Sequence, residues 1–138
     1  MIIVLDTNVL VSGLLSPFGP PARVVDQVVS NTLQVAYDDR IIDEYSEVLS
    51  RPNFGFNPRH VQDLIDHIKL SGIHVIADPI SSKNVPDSGD LPFAEVAVTA
   101  NARFLVTGNI SHYQFLEETE VLVILPKEFL EGLGRLLE

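Results

Sequence analysis

The chain has no cysteine among its 138 residues, which excludes a disulfide scaffold, a thiolate zinc site and a cysteine nucleophile, and suits a reducing compartment. Cations are also scarce. Against 19 Asp and Glu stand only 9 Lys and Arg, a formal net charge of -10, so general charge-driven binding of nucleic acid is disfavoured. Any activity on a nucleic acid has to be local, through a basic patch, metal ions or both. Long apolar runs are missing as well. The opening run ends at Asp6 and has no basic flank, so neither a signal peptide nor a membrane span is expected, and the expected location is cytoplasmic. Gly-x-Gly-x-x-Gly, Walker, His-Glu-x-x-His, EF-hand and Gly-x-Ser-x-Gly patterns are absent, which removes the commonest nucleotide, zinc, calcium and serine-hydrolase readings.

What is present is the composition of a packed protein, with 46% hydrophobic and 20% charged residues. A chain of this length buries roughly 65 to 70% of its unfolded surface, and no repeat or linker divides it, so one domain over residues 1–138 is expected. Short apolar runs read as buried strands: Ile2 to Leu5, Leu33 to Ala36, His74 to Ile76, Phe104 to Val106 and Val121 to Leu125. Helical spacing lies between them. Pro20-Pro21 opens what reads as the first helix, followed by helices over about Asp39 to Ser50, Pro58 to Leu70, from Asp90 onward, about Ser111 to Phe115, and from Pro126. This alternation predicts an α/β fold, a mostly parallel sheet of about five strands with helices on both faces.

In such a sheet ligands bind beyond the carboxyl ends of the strands. Two strands end in polar groups there, Asp6-Thr7-Asn8 and Thr107-Gly108-Asn109. Taken singly, Asp6 and Asn109 suit turn or cap roles equally well. Glu44 is more telling, because it falls about 40° from Val48 on the apolar face of its helix whereas Asp43 and Glu47 point away. Asp90 suits an N-cap and also lies over the inward stripe that includes Ala97. Asp87, in a Gly/Ser turn, reads as solvated with a supporting role at most. If Asp6, Glu44 and Asp90 meet, repulsion raises at least one pKa unless a cation joins them. An all-oxygen donor set favours Mg2+ or Mn2+. His60, His67, His74 and His112 lack ligand spacing and are expected at the surface or at strand ends.

The pieces Asp6-Thr7-Asn8-Val9-Leu10, Asp43 to Pro52, Asp90 with Phe93 and Ala97, Leu105-Val106-Thr107-Gly108-Asn109 and Ile124 to Leu130, in that order, resemble the PIN domain family. The likeness is to its branch of toxin components of toxin-antitoxin systems. That resemblance implies a three-layer α/β/α sandwich acting as a Mg2+- or Mn2+-dependent ribonuclease. Asp6 and Asp90 are implied as the principal metal-binding carboxylates and Glu44 as the next acid. Asn8 is implied to orient Asp6, and Thr107 supplies a hydroxyl beside the fourth acidic position. The chain departs from the family there, with Asn109 where aspartate is usual.

An RNA substrate, an antitoxin protein and a homodimer are the partners implied, and no membrane. The stretch Arg51 to Arg59 carries Arg51, Phe54, Phe56 and Arg59 and no acid. Arginines on phosphates and rings on unpaired bases suit single-stranded RNA; the same rings also suit loop anchoring. Two other readings stay open. Asn109 and the strong acidity suit a weakly catalytic or inactive binding module, and Asp6 as the nucleophile of a phosphatase is disfavoured because Asn8 stands where a second aspartate belongs.

Overall fold

The structure is a computed structural model and describes residues 1–81 and 85–137, without the side chains of residues 136 and 137. Five strands, β1 (Ile2–Leu5), β2 (Gln34–Tyr37), β3 (Ile73–His74), β4 (Phe104–Val106) and β5 (Leu122–Ile124), form one sheet in the order β3-β2-β1-β4-β5. Every pairing is parallel. Parallel strands covered on both faces need side chains that tolerate burial at every position. Accordingly, Ile3, Val4 and Leu5 are fully buried, as are Leu105 and Val106.

The chain steps from β1 outward to β3, then returns to the other side of β1 for β4 and β5. With right-handed crossovers, that reversal sends helices to both faces. It also opens a crevice at the carboxyl ends of β1 and β4, where the two directions diverge. The register puts Leu5 beside Val106 and Ile3 beside Val35. Continuing both pairs aligns Asp38, Asp6 and Thr107 along one edge.

Each helix has a local cause. In α2 (Pro20–Val29), Pro20 and Pro21 take the first two positions, and Val24, Val25 and Val28 are buried. In α3 (Asp39–Leu49), the Asp38 side chain accepts from the Ile41 amide at 3.1 Å and so caps the start. Asn57 caps α4 (Pro58–Ser71) by accepting from the Arg59 amide at 2.9 Å. Helix α5 (Leu91–Thr99), buried from Phe93 to Ala97, packs on β1, β2 and β4. Helix α6 (Pro126–Leu137) buries Phe129 and Leu133 and packs on α2.

Four expectations need correction. The first helix is not the one opened by Pro20. An earlier one, α1 (Thr7–Leu15), follows β1 directly. Its sequence, Thr-Asn-Val-Leu-Val-Ser-Gly-Leu-Leu, has little polar stripe to give a helical period, and packing against α2 stabilises it instead. At Gly13 an added Cβ would lie 3.1 Å from Val25 Cγ2 and 3.2 Å from the Pro21 carbonyl oxygen, so the two helices approach through a missing side chain. Second, the third strand is shorter than the apolar run His74 to Ile76 suggests, and Ile76 is exposed. Third, the short helix expected over about Ser111 to Phe115 is a 3-10 segment, Ile110–Leu116, broken at Tyr113. Fourth, His67 is half-buried with Nε2 3.0 Å from the Val28 carbonyl, rather than at the surface.

The α4–β3 junction turns at Gly72, where any side chain would collide with the carbonyl oxygens of Val35 and Ile68. Both obstacles are main chain and cannot rotate away. Gly72→Ala is therefore expected to destabilise the fold by about 2 kcal/mol or more, read as a lowered midpoint in urea unfolding followed by circular dichroism.

Candidate functional site

Asp6 ends β1 and is 8% exposed. Its carboxylate is held by hydroxyls. Thr107, at the end of β4, donates from Oγ1 to Asp6 Oδ2 at 2.8 Å, and Tyr113, from the broken 3-10 segment, donates its hydroxyl to the same oxygen at 3.0 Å. Asn8 reaches Asp6 with Nδ2 at 3.4 Å while its Oδ1 accepts from the Gly108 amide at 3.1 Å. The loops after β1 and β4 are thereby tied together. Asn109 donates its backbone N–H to Thr107 Oγ1 at 3.0 Å and keeps its side chain at the exposed rim.

Asp90 arrives from the opposite direction. It ends a 3-10 turn, Ser88–Asp90, that leads into α5, and it makes no side-chain capping bond. Asp87 does that work, accepting from the Gly89 amide at 2.9 Å. Of the two roles open to Asp90, capping and facing inward, the structure thus has only the second. The Tyr113 hydroxyl lies 3.3 Å from Asp90 Oδ1, so one phenol joins Asp6 and Asp90. His112 Nδ1 lies 3.1 Å from Asp90 Oδ2, so this histidine belongs to the site and not to a featureless surface. Glu44 is half-buried while Asp43 and Glu47 are exposed, and Thr7 Oγ1 donates to Glu44 Oε2.

Electrostatics agree with this convergence. Burial pushes the Asp6 carboxyl above its ordinary value, opposed by the hydrogen bonds from Thr107 and Tyr113. Burial raises Glu44 too, reinforced by repulsion from Asp6 and Asp90. Asp90 is raised by burial and by repulsion from Asp6 and Asp87, partly countered by His112. Tyr113 is pushed far up by burial and by the same two aspartates, so it stays a donor. Three acids that repel one another and offer only oxygen form a donor set suited to a hard divalent cation. Among the described residues no three acidic or imidazole side chains already stand at the spacing of a metal cage. The Tyr113 hydroxyl spans the interval between Asp6 and Asp90, while Thr107 donates to Asp6 and Thr7 to Glu44.

Other residues stand apart from this centre. Arg51 pairs with Glu47 at 2.8 Å on the exposed side of α3. Phe54 and Phe56 stack on each other, with ring centroids 5.4 Å apart and 11° between planes; Phe56 also packs against the core. Arg59 is exposed. Arg40 bridges two buried acids, Asp38 at 2.7 Å and Glu95 at 2.8 Å. Glu95 also accepts from the Ile80 amide at 2.8 Å, and Thr99 Oγ1 accepts from the Asp78 amide at 2.9 Å. Helix α5 thus holds the segment before the Asp87 turn.

Comparison with known proteins follows the same outline. A family model described as PIN domain matches residues 2–111, and the chain belongs to that family. The Methanocaldococcus jannaschii protein MJ1680 is 26% identical over 141 residues, covering 94% of this chain and 89% of that protein. The crystal structure of VapBC2 from Rickettsia felis, bound to a DNA fragment from its promoter, superposes with a TM-score of 0.57 at 18% identity, covering 91% of this chain and 98% of the other. At that identity the likeness is one of fold. Among the described residues no helix is long and apolar enough to cross a membrane.

Glu44 has a folded pKa above its unfolded one, so its contribution is most favourable below the ordinary carboxylate pKa and is lost as pH rises through the raised value. Glu44→Gln keeps an oxygen for Thr7 and removes the repulsion. In EDTA at pH 7 its Tm is expected to exceed that of the parent, the difference closing near pH ~4. A variant less stable than the parent at pH 7 would contradict the shared repulsion.

Proposed function

We propose that this PIN-family protein is a divalent-metal-dependent endoribonuclease, acting as the toxin of a toxin-antitoxin pair. The observation that carries the reading is the Tyr113 hydroxyl shared by Asp6 and Asp90, with Glu44 close enough to feel both. Two buried aspartates with a half-buried glutamate beside them are costly in the ion-free fold and suit a site built for charge compensation. Asp6, Glu44 and Asp90 would hold Mg2+ or Mn2+. When bound, such an ion supplies charge neutralisation at a phosphodiester and a water of lowered pKa.

The chain's own residues supply the rest. Thr107 and Tyr113 hold Asp6 in one orientation, and Asn8 keeps the loops after β1 and β4 at a fixed spacing. His112 steadies Asp90. Asp87 sets the turn that delivers it. Phe54 and Phe56 offer a stacking surface for unpaired bases, beside Arg59 and an Arg51 near enough to sense Glu44. The VapBC2 relative in fold is a complex bound to DNA, which supports an antitoxin-like protein as a partner of this chain; a homodimer and a cytoplasmic location belong to the same proposal.

The test is cleavage of single-stranded RNA. With Mg2+ or Mn2+ the purified chain is expected to cut, leaving a 5'-phosphate and a 3'-hydroxyl because water, not the 2'-hydroxyl, attacks. EDTA abolishes cutting, and Asp6→Asn lowers the rate by about 100-fold or more. Equal rates from parent and Asp6→Asn, or 2',3'-cyclic ends by mass spectrometry, would reject the reading.

A second reading, a binding module without catalysis, is favoured by one residue, Asn109. Its amide keeps a carbonyl oxygen but no charge. Titration calorimetry with Mn2+ separates the two: the nuclease reading expects saturable binding, tightened about tenfold by Asn109→Asp, whereas the module reading expects none at neutral pH.

A further inference from the structure

The acidic centre is flanked by two clefts of opposite character. On the β2–β3 side a cleft of about 550 Å³ is lined by Asp38, Asp39, Glu95, Arg40 and His74. Its acids outnumber its cations, and Arg40 is already committed to Asp38 and Glu95. On the other side, next to Asp6 through Asn8, a cleft of about 300 Å³ is lined by Asn8, Ser12, Gly108, Asn109, Pro21 and Pro126. No ionisable side chain lines it among the described residues. The Asn109 carboxamide and the Ser12 hydroxyl have no hydrogen-bond partner among the described residues, so both are available to a ligand. The first turns of α2 and α6 also border this cleft, and their dipoles present positive ends there, although the prolines contribute no N–H.

An RNA strand carries one negative charge per nucleotide and cannot run equally well in both directions from the centre. We propose that the phosphate backbone flanking the reacting bond runs through the neutral Asn8–Ser12–Asn109 cleft, and that the acid-lined cleft excludes phosphate. The neutral rim of Asn109 then serves the substrate: an aspartate there would face the incoming strand with another negative charge. This inference rests on the RNA reading above, but its readout is binding rather than cutting.

The test compares matched charge changes at two exposed positions outside the acidic centre, Ser12 in the neutral cleft and Ile76 on the rim of the acidic one. A fluorescein-labelled single-stranded RNA of ten nucleotides is titrated by polarisation against the full chain in Mg2+ and in Ca2+, with RNA integrity followed on gels. Ser12→Lys is expected to tighten binding about 3- to 10-fold and to steepen the salt dependence by about 0.7 in log-log slope; Ser12→Asp weakens it by a similar factor. Ile76→Lys is expected to change affinity by less than about twofold. Equal tightening by both lysines, tightening by Ile76→Lys alone, or no RNA binding by the parent overturns the proposal. Ser12-dependent binding by a chain that fails to cut would reject the nuclease reading and leave the strand path standing.

Discussion

The site depends on one buried carboxylate at the end of a parallel strand. Asp6 sits where β1 leaves the sheet, flanked in register by Asp38 and Thr107. A carboxylate in that position has lost most of its water, and ionised it persists only if donors replace that water. Thr107 and Tyr113 are those donors, and each comes from a different part of the chain. The end of β4, the broken 3-10 segment and, through Tyr113, Asp90 all meet at Asp6.

Thr7 connects this centre to α3. As the first residue of α1 it donates to Glu44, while the Tyr45 hydroxyl donates to the Leu5 carbonyl at 2.5 Å. Two consecutive residues of α3 are therefore bonded to the end of β1 and the start of α1. This explains how Glu44, on a helix that begins at the neighbouring strand, is fixed without a salt bridge. Tyr45 is wholly buried and packs against Phe93 of α5, with centroids 6.3 Å apart, so the elements carrying Glu44 and Asp90 share one aromatic contact beneath the acids.

Much of this is legible in the sequence. Short unbroken apolar runs mark four of the five strands closely; in β1, β2 and β4 burial on both faces leaves little alternation to misread, whereas in the edge strand β5 Leu122 is exposed. The offsets of about 100° and about 60° that separate Glu44 from Asp43 and Glu47 follow from helix geometry alone and match their exposures. What escaped had physical reasons. Helix α1 is apolar nearly all round, so its sequence has no period. Tyr113 lies in a 3-10 segment with a non-helical residue, and no local pattern marks a phenol that will bridge residues 6 and 90. Glu95 does carry a signal in the sequence, because a carboxylate within the buried run Phe93 to Ala97 requires a partner. The partner was Arg40, 55 positions away.

Glu95 and Thr99 grip the connection that precedes Asp87 by its main chain, through the amides of Ile80 and Asp78. A hold of that kind is indifferent to which side chains the gripped residues carry, proline excepted, because proline has no amide hydrogen to offer. A change of side chain at the exposed position 78 can therefore alter the outer face of this connection while its anchorage to α5 stays the same, whereas Ile80 is bound besides by its packing against the core.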